Sequence, residues 1–131
     1  MLGVFFLIVL FFILNQGIFG FYAKRHTFLD KKKLNFLYFY HLLFYGVYLW
    51  YAYNNPSDSK GYYNNINIHN GSWFELFGTD THFIDFLAYP LNLIGFTYEM
   101  LMLTFAWLGY LGFFYAYLFF REKRFLKRYK P

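Results

Sequence analysis

A single carboxylate interrupts an apolar stretch of this chain, NLIGFTYEMLML, which runs from Asn92 to Leu103. The carboxylate belongs to Glu99. An ionisable side chain at membrane depth is costly facing lipid and by default indicates a functional site. A buried carboxyl group can exchange protons near neutral pH, so Glu99 is a candidate proton relay. The alternative interpretation is a carboxylate at the membrane interface or one that pairs with a neighbouring helix.

His41 is a second candidate, because it lies in the middle of another apolar run, residues 34–53. Imidazole titrates near physiological pH and binds metals, so His41 could relay protons or ligate haem. A bis-histidine haem would need a second histidine in an apolar run. The other histidines fall outside the runs and are His26, His69 and His82. We therefore expect no cofactor, and predict that His41, like Asn15 and Gln16, hydrogen-bonds a neighbouring helix.

Other familiar catalytic chemistry has no support in the sequence. The chain has no cysteine, which excludes disulfides, thiolate metal sites and cysteine nucleophiles. It also has no phosphate-binding loop, no metal-ligand spacing and no nucleophile triad. We therefore expect the chain to perform no catalysis by itself.

The composition indicates a membrane protein. Of 131 residues, 59% are hydrophobic and 30% aromatic, including 21 Phe and 15 Tyr, well above the balance of a soluble globular domain. A soluble core of this size could not bury so many aromatic side chains, whereas a bilayer solvates them. The bias toward Phe, Leu, Tyr, Asn and Lys is also typical of an AT-rich gene, as in organellar genomes.

The apolar runs predict an all-α integral membrane protein, a single membrane domain covering residues 1–131, with three transmembrane helices at about 2–22, 34–53 and 91–120. The first run has no basic region before it and no cleavage site after it, so we expect a retained helix. Residues 54–82, rich in Asn, Ser and Gly, are predicted to form an outside loop. Pro90 predicts a kink or a helix start, preceded by an interfacial helix near residues 82–89 with caps among Thr79, Asp80 and Thr81.

Basic residues concentrate in the first loop and in the tail, residues 121–131, which predicts that both lie on the inside face and the N-terminus outside. We expect these residues to set the topology or to bind lipid headgroups. They are Lys24, Arg25, Lys31, Lys32, Lys33, Arg121, Lys123, Arg124, Lys127 and Arg128.

Two segments resemble the smallest membrane-arm subunit of respiratory complex I, the NuoK type known in mitochondria as NADH dehydrogenase subunit 4L. They are GIFGFYAKRH, from Gly17 to His26, and LIGFTYEMLML around Glu99. Members of that family carry one glutamate in the second span and one in the third, on the polar axis through which protons are thought to move. Glu99 matches the third-span glutamate, while the second span here holds His41 and no carboxylate. The resemblance implies a divergent, mitochondrially encoded version of ciliate or protist type.

On that resemblance we expect a small subunit of a mitochondrial inner-membrane respiratory-chain complex, in the proton-translocating arm of complex I, NADH:ubiquinone oxidoreductase. Its implied partners are other hydrophobic subunits and lipids, cardiolipin included, with no nucleic acid. The N-terminus is expected in the intermembrane space and the C-terminus in the matrix. The alternatives are a non-catalytic structural or accessory subunit of cytochrome c oxidase or ATP synthase, and a location in a bacterial inner membrane.

Overall fold

The computed structural model describes residues 2–128, with side chains through Arg121, and this part of the chain folds into helices joined by short connections. The long helices are α1 (Leu2–Ala23), α2 (Lys31–Asn54) and α5 (Tyr98–Arg128). Between α2 and α5 lie α3 (Asp58–Ile68), a 3₁₀ turn (Trp73–Leu76) and α4 (Thr81–Leu93). The predicted all-α fold class is confirmed for the described residues.

Two helical segments are long and apolar enough to cross a membrane, Leu2–Ala23 of α1 and Tyr98–Arg121 of α5. The sequence predicts three, and among the described residues α2 does not reach the same apolarity. The reason is its composition, because it begins with three lysines and contains six tyrosines together with Asn35 and His41.

Helices α1, α2 and α5 form a three-helix bundle in which α1 and α5 run in the same direction and α2 runs against both. Phe11 of α1 stacks on Trp107 of α5 with ring centroids 4.3 Å apart, and farther along both helices Phe19 lies 5.2 Å from Phe114. Successive residues of α1 therefore meet successive residues of α5. Along α2 the order is reversed, because its start contacts the second half of α5 and its end contacts the first turn of α5.

Helix α1 buries a single row of side chains against the rest of the bundle. The buried residues of α1 recur every fourth position, which places them in one row along the helix, and are Leu7, Phe11, Asn15 and Phe19. Most of the other α1 side chains are partly or fully exposed and apolar. A helix that is apolar on every side, with only one row buried, is typical of a helix surrounded by hydrocarbon.

Tyrosine hydroxyl groups join the three helices through backbone carbonyls. Tyr38 donates to the Ile8 carbonyl at 2.9 Å, Tyr110 donates to the Leu34 carbonyl at 2.8 Å, and Tyr45 donates to the Glu99 carbonyl at 3.0 Å. A carbonyl oxygen has two lone pairs, so each can accept this bond in addition to a helical one. The phenolic groups are thereby satisfied inside the bundle rather than exposed.

The segment predicted as an outside loop, residues 54–82, instead contains α3 and the 3₁₀ turn, and together with α4 it covers one end of the bundle. Ile66 of α3, Ala88 and Tyr89 of α4, and Leu101 of α5 form a small apolar cluster. The composition of α3 is polar, so its helix depends on this packing against α4, which sequence patterning does not reveal. The predicted cap region does adjoin α4, which begins after Asp80, although the Asp80 side chain makes no capping bond.

Pro90 neither starts a helix nor ends one; it lies inside α4, three residues before its end. A proline there leaves the carbonyl of residue 86 without its helical donor. The indole nitrogen of Trp73 donates to that Phe86 carbonyl at 2.7 Å, and the two rings stack at 4.8 Å. The interruption comes instead after Leu93, where Gly95 has a φ of 90°, so the last long helix starts at Tyr98 rather than near residue 91.

Candidate functional site

Glu99 lies in the first turn of α5, at the end of the bundle that α3 and α4 cover. Its half-buried carboxylate accepts hydrogen bonds at both oxygens, from the Tyr53 hydroxyl and from the Thr97 hydroxyl, the latter at 2.6 Å. A negative charge in the first turn also interacts favourably with the positive end of the helix dipole. The carboxylate therefore connects the last turn of α2 to the start of α5.

A cluster of hydroxyl groups lies beside this carboxylate. Ser59 is within 2.7 Å of the Tyr98 hydroxyl, of the Tyr48 hydroxyl and of Ser57. The cluster joins α2, α3 and α5, and hydroxyl protons in such a cluster can rotate to exchange donor and acceptor roles. Sequence reasoning missed it, because Ser57 and Ser59 lie in a polar stretch with no periodic signal that would place them against α5.

His41 lies in the middle of α2, and its Nδ1 is 3.1 Å from the Leu37 carbonyl of the same helix. This bond differs from the predicted bond to a neighbouring helix. The imidazole ring instead contacts α5 through aromatic rings, with centroids 5.1 Å from Tyr110 and 6.2 Å from Phe113. Among the described residues, the Leu37 carbonyl is the hydrogen-bond partner that the structure gives the imidazole.

The structure does not bring Glu99 and His41 together. The imidazole is level with Tyr110, and the separation between positions 99 and 110 along α5 corresponds to about 16 Å. Direct proton transfer needs hydrogen-bond contact or one bridging water. The two candidate residues therefore belong to different ends of the bundle, and any relay that uses both would need further groups between them.

Asn15 and Gln16 make the interhelical bonds predicted for them. Trp107 of α5 donates its indole N–H to Asn15 Oδ1 at 3.0 Å, and Gln16 donates to Asn35 Oδ1 of α2 at 2.7 Å. Asn15 is fully buried, and its Nδ2 has no hydrogen-bond partner among the described residues. These amides fix the register of α1 against both of its neighbours.

Except for Lys60, the basic residues with described side chains gather at the end of the bundle opposite Glu99, where α1 ends and α2 begins. Arg25 lies 4.1 Å above the Phe21 ring, and Arg121 lies 5.5 Å from the Phe28 ring, so part of each guanidinium rests on an aromatic face. Lys60, at 5.4 Å from the Tyr53 ring, lies at the other end. The side chains of Lys123, Arg124, Lys127 and Arg128 lie outside the described residues.

Asp85 of α4 is a buried carboxyl group that sequence reasoning did not select. It is 6% exposed, and its Oδ1 has no hydrogen-bond partner in the described part of the chain. Burial raises the pKa of Asp85, while the electrostatic interaction with His82 and His69 acts in the opposite direction. The carboxyl group lies in the part of the chain that covers one end of the bundle, α3 to α4, rather than in the three-helix bundle itself.

The described residues contain no group of three or more histidine, aspartate or glutamate side chains placed to hold a metal ion. Comparison of the chain with protein-family models, with curated proteins and with solved structures finds no match. The resemblance to the complex I subunit therefore stays a prediction that depends on the quoted segments alone.

Proposed function

We propose that this chain is a three-span integral membrane subunit of a respiratory-chain complex in the mitochondrial inner membrane. The observation that carries the membrane part is the exposure of large apolar side chains along all three long helices, among them Phe5, Phe36 and Phe113 at 69%, 70% and 73%. A soluble monomer rarely exposes contiguous apolar surface on this scale. Hydrocarbon, or other subunits within it, would cover these faces.

Helix α2 is the third span in this proposal, despite its lower apolarity. It has the length of a span and packs antiparallel between α1 and α5. Two of the tyrosines that lower its apolarity, Tyr38 and Tyr45, donate their hydroxyls to carbonyls of neighbouring helices. Their polar atoms are therefore hidden from lipid, which removes most of the cost that a composition-based scale assigns to them.

The gathering of described basic side chains at one end of the bundle supports an orientation with that end inside. In mitochondria the inside face is the matrix, so the N-terminus would lie in the intermembrane space. Neighbouring hydrophobic subunits are the proposed partners of the open faces. At Gly17, Gly109 and Gly112 no described atom beyond the adjoining residues and backbone of the same helix lies within 4 Å of the place a Cβ would take, so another helix could approach closely there.

The complex we propose is complex I, in its proton-translocating membrane arm, because Glu99 matches the third-span glutamate of the family that the sequence resembles. In this role Glu99 would accept and release a proton, with Tyr53 and Thr97 as its immediate hydrogen-bond donors. Electron transfer would belong to other subunits of the oxidoreductase.

A second candidate is a structural subunit of cytochrome c oxidase or ATP synthase that transfers no proton. The position of Glu99 favours it, because the carboxylate lies in the first turn of α5 and both of its oxygens already accept bonds that hold α2 and α5 together. An interfacial carboxylate with this geometry is inexpensive and needs no transport role to explain it.

Replacing Glu99 by Gln in the assembled complex separates the two candidates. Glutamine keeps the shape and can accept from one of the two hydroxyl groups at its carbonyl oxygen while its amide NH2 donates to the other, but it carries no exchangeable carboxyl proton. Loss of NADH-coupled proton pumping with normal assembly supports the relay, whereas unchanged pumping eliminates it. Glu75→Gln, at an exposed position of the 3₁₀ turn, is the matched control.

Membership of a complex is tested by native electrophoresis of solubilised mitochondrial membranes and mass spectrometry of the band that contains the chain. Recovery with complex I subunits supports the first candidate, and recovery with cytochrome c oxidase or ATP synthase supports the second. Recovery free of any respiratory complex refutes both.

A further inference from the structure

A groove of about 550 Å³ lies between α2 and α5 at the basic end of the bundle. Its floor is formed by the buried side chains of Leu34, Tyr110 and Phe114, and its outer walls by the more exposed Leu37 and Phe113. The Tyr110 hydroxyl at the floor is already bonded to the Leu34 carbonyl. The groove therefore presents an apolar lining that opens sideways, toward the surroundings of the bundle.

Charge is confined to one end of this groove. Lys33 lines it there, and Arg121 adjoins the same end, where its Nε donates to the Tyr117 hydroxyl at 3.2 Å and its guanidinium lies 5.5 Å from the Phe28 ring. Asp30 also lines this end, but its carboxylate caps α2 by accepting from the Lys32 amide at 2.9 Å. The first turn of α2 adds the positive end of a helix dipole. An anion is the complementary group at this end.

At the other end the groove closes on His41, whose ring lies among aromatic side chains. From Lys33 to His41 the distance along α2 is about 12 Å. A slender apolar chain with an anionic group at one end matches both the apolar lining of the groove and its basic end.

We infer that this groove binds one acyl chain of an acidic phospholipid from the surrounding bilayer, with the phosphate of its headgroup between Lys33 and Arg121. The acyl chain lies on Leu34, Tyr110 and Phe114 and ends near His41. This inference rests on the membrane placement under the proposed function, and it adds a specific lipid site that the placement alone does not require. Cations near a membrane surface attract acidic lipids, and the apolar floor supplies selectivity for a chain over a free anion.

The test reconstitutes the full-length chain into vesicles that carry a photoactivatable acyl chain either on phosphatidylglycerol, which is acidic, or on phosphatidylcholine, which is zwitterionic. After illumination, mass spectrometry locates the crosslinked residues. We expect phosphatidylglycerol to label the groove, at Leu37, His41 and Phe113, in preference to other exposed positions. Retention of the chain in the vesicles after an alkaline wash is measured on the same samples.

Two pairs of variants sharpen the result. Lys33→Gln should reduce groove labelling by phosphatidylglycerol about fivefold, the effect of one basic residue near a membrane surface; Lys60→Gln, at the opposite end, should not. Leu37→Trp fills the groove and should abolish the labelling of His41, whereas Phe36→Trp places the same ring on an exposed face outside the groove and should leave it unchanged. Circular dichroism confirms that each variant keeps its helix content.

Equal labelling of the groove by both lipids, or labelling that Leu37→Trp leaves intact, overturns the lipid site while the membrane placement survives. In native membranes, crosslinking of groove residues to a second protein rather than to lipid overturns the lipid site and indicates that a protein occupies the groove. Loss of the chain from the vesicles in the alkaline wash overturns the membrane placement and the lipid site together.

Discussion

The bond from Trp73 to the Phe86 carbonyl allows a quantitative test of how α4 tolerates Pro90. Trp73→Phe removes the donor but keeps an aromatic ring that can stack on Phe86. In the parent chain the Trp73 and Phe86 ring centroids are 4.8 Å apart. A neutral hydrogen bond contributes a net of about 0.5–1.5 kcal/mol. Trp73 is 40% exposed, so water can partly replace the lost donor and the expected cost is about 0.5–1 kcal/mol.

The decisive measurement is a double-mutant cycle with Pro90→Ala. An alanine at position 90 restores the amide N–H that a helix directs at the Phe86 carbonyl, so this carbonyl gains a second donor. In the Pro90→Ala background, Trp73→Phe should therefore cost less than in the parent chain, with a coupling of about 0.5 kcal/mol or more. Pro90→Ala alone should stabilise the helix, by less than the roughly 3 kcal/mol separating proline from alanine in a helix interior.

The assay is unfolding by SDS in mixed micelles, followed by circular dichroism, since the intrinsic fluorescence changes when a tryptophan is removed. Trp50→Phe, at a 70% exposed position of α2, controls for the loss of a tryptophan and should stay within about 0.5 kcal/mol of the parent. Equal costs of Trp73→Phe in the two backgrounds would refute the reasoning, because the contribution of the indole bond would then not depend on the absence of an amide N–H at position 90.

Two further predictions concern buried side chains. Burial raises the pKa of Asp85 despite the opposing effect of His82 and His69, so the folded state binds the carboxyl proton more tightly than the unfolded state. The free energy of unfolding should therefore fall as the pH rises above 3.8, the ordinary pKa of the group. Asp85→Asn should remove that fall in denaturation curves recorded from acid to neutral pH. Phe19→Ala should cost about 3 kcal/mol in the SDS assay because Phe19 is fully buried between α1 and α5, whereas Phe5→Ala, at 69% exposure, should cost little; similar losses for both would contradict the packing described for α1.

The long helices were predictable as apolar runs of about bilayer length, a signal that depends on composition rather than on neighbours, although α2 is less apolar than α1 and α5, and α5 starts at Tyr98 rather than near residue 91. Of the elements that cover one end of the bundle, only the helix near residues 82–89 was predicted, and it lies within α4 (Thr81–Leu93). Helix α3 has no apolar periodicity, and it exists because Ile66 packs on α4 and α5, a contact between residues far apart in sequence. Pro90 predicted a kink or a helix start; the next helix instead starts at Tyr98, after Gly95, and Trp73 of the 3₁₀ turn donates to the carbonyl that Pro90 leaves without a helical donor.

In the candidate site, too, some residues could be predicted from the sequence and others depend on contacts between distant parts of the chain. Glu99 was identifiable because a charge in an apolar run is conspicuous wherever the chain folds. Its donor Tyr53 was not, since it lies 46 residues earlier and is one of 15 tyrosines that the sequence alone does not distinguish. The groove beside His41 depends on the spacing between α2 and α5, which arises only when both helices are in place.

The position of α5 as the last long helix along the chain has a consequence for biogenesis. Until α5 is synthesised, Asn15 lacks the indole donor of Trp107, and Tyr45 lacks the carbonyl of Glu99. In the membrane placement that we propose, a nascent α1–α2 hairpin would therefore carry an unsatisfied amide and an unsatisfied phenol group into lipid, where such groups bind other polar partners. Helix α5 thus satisfies polar groups of both earlier helices, and under the same placement a chain that stops short of Tyr98 should be recognised as incomplete by membrane quality control.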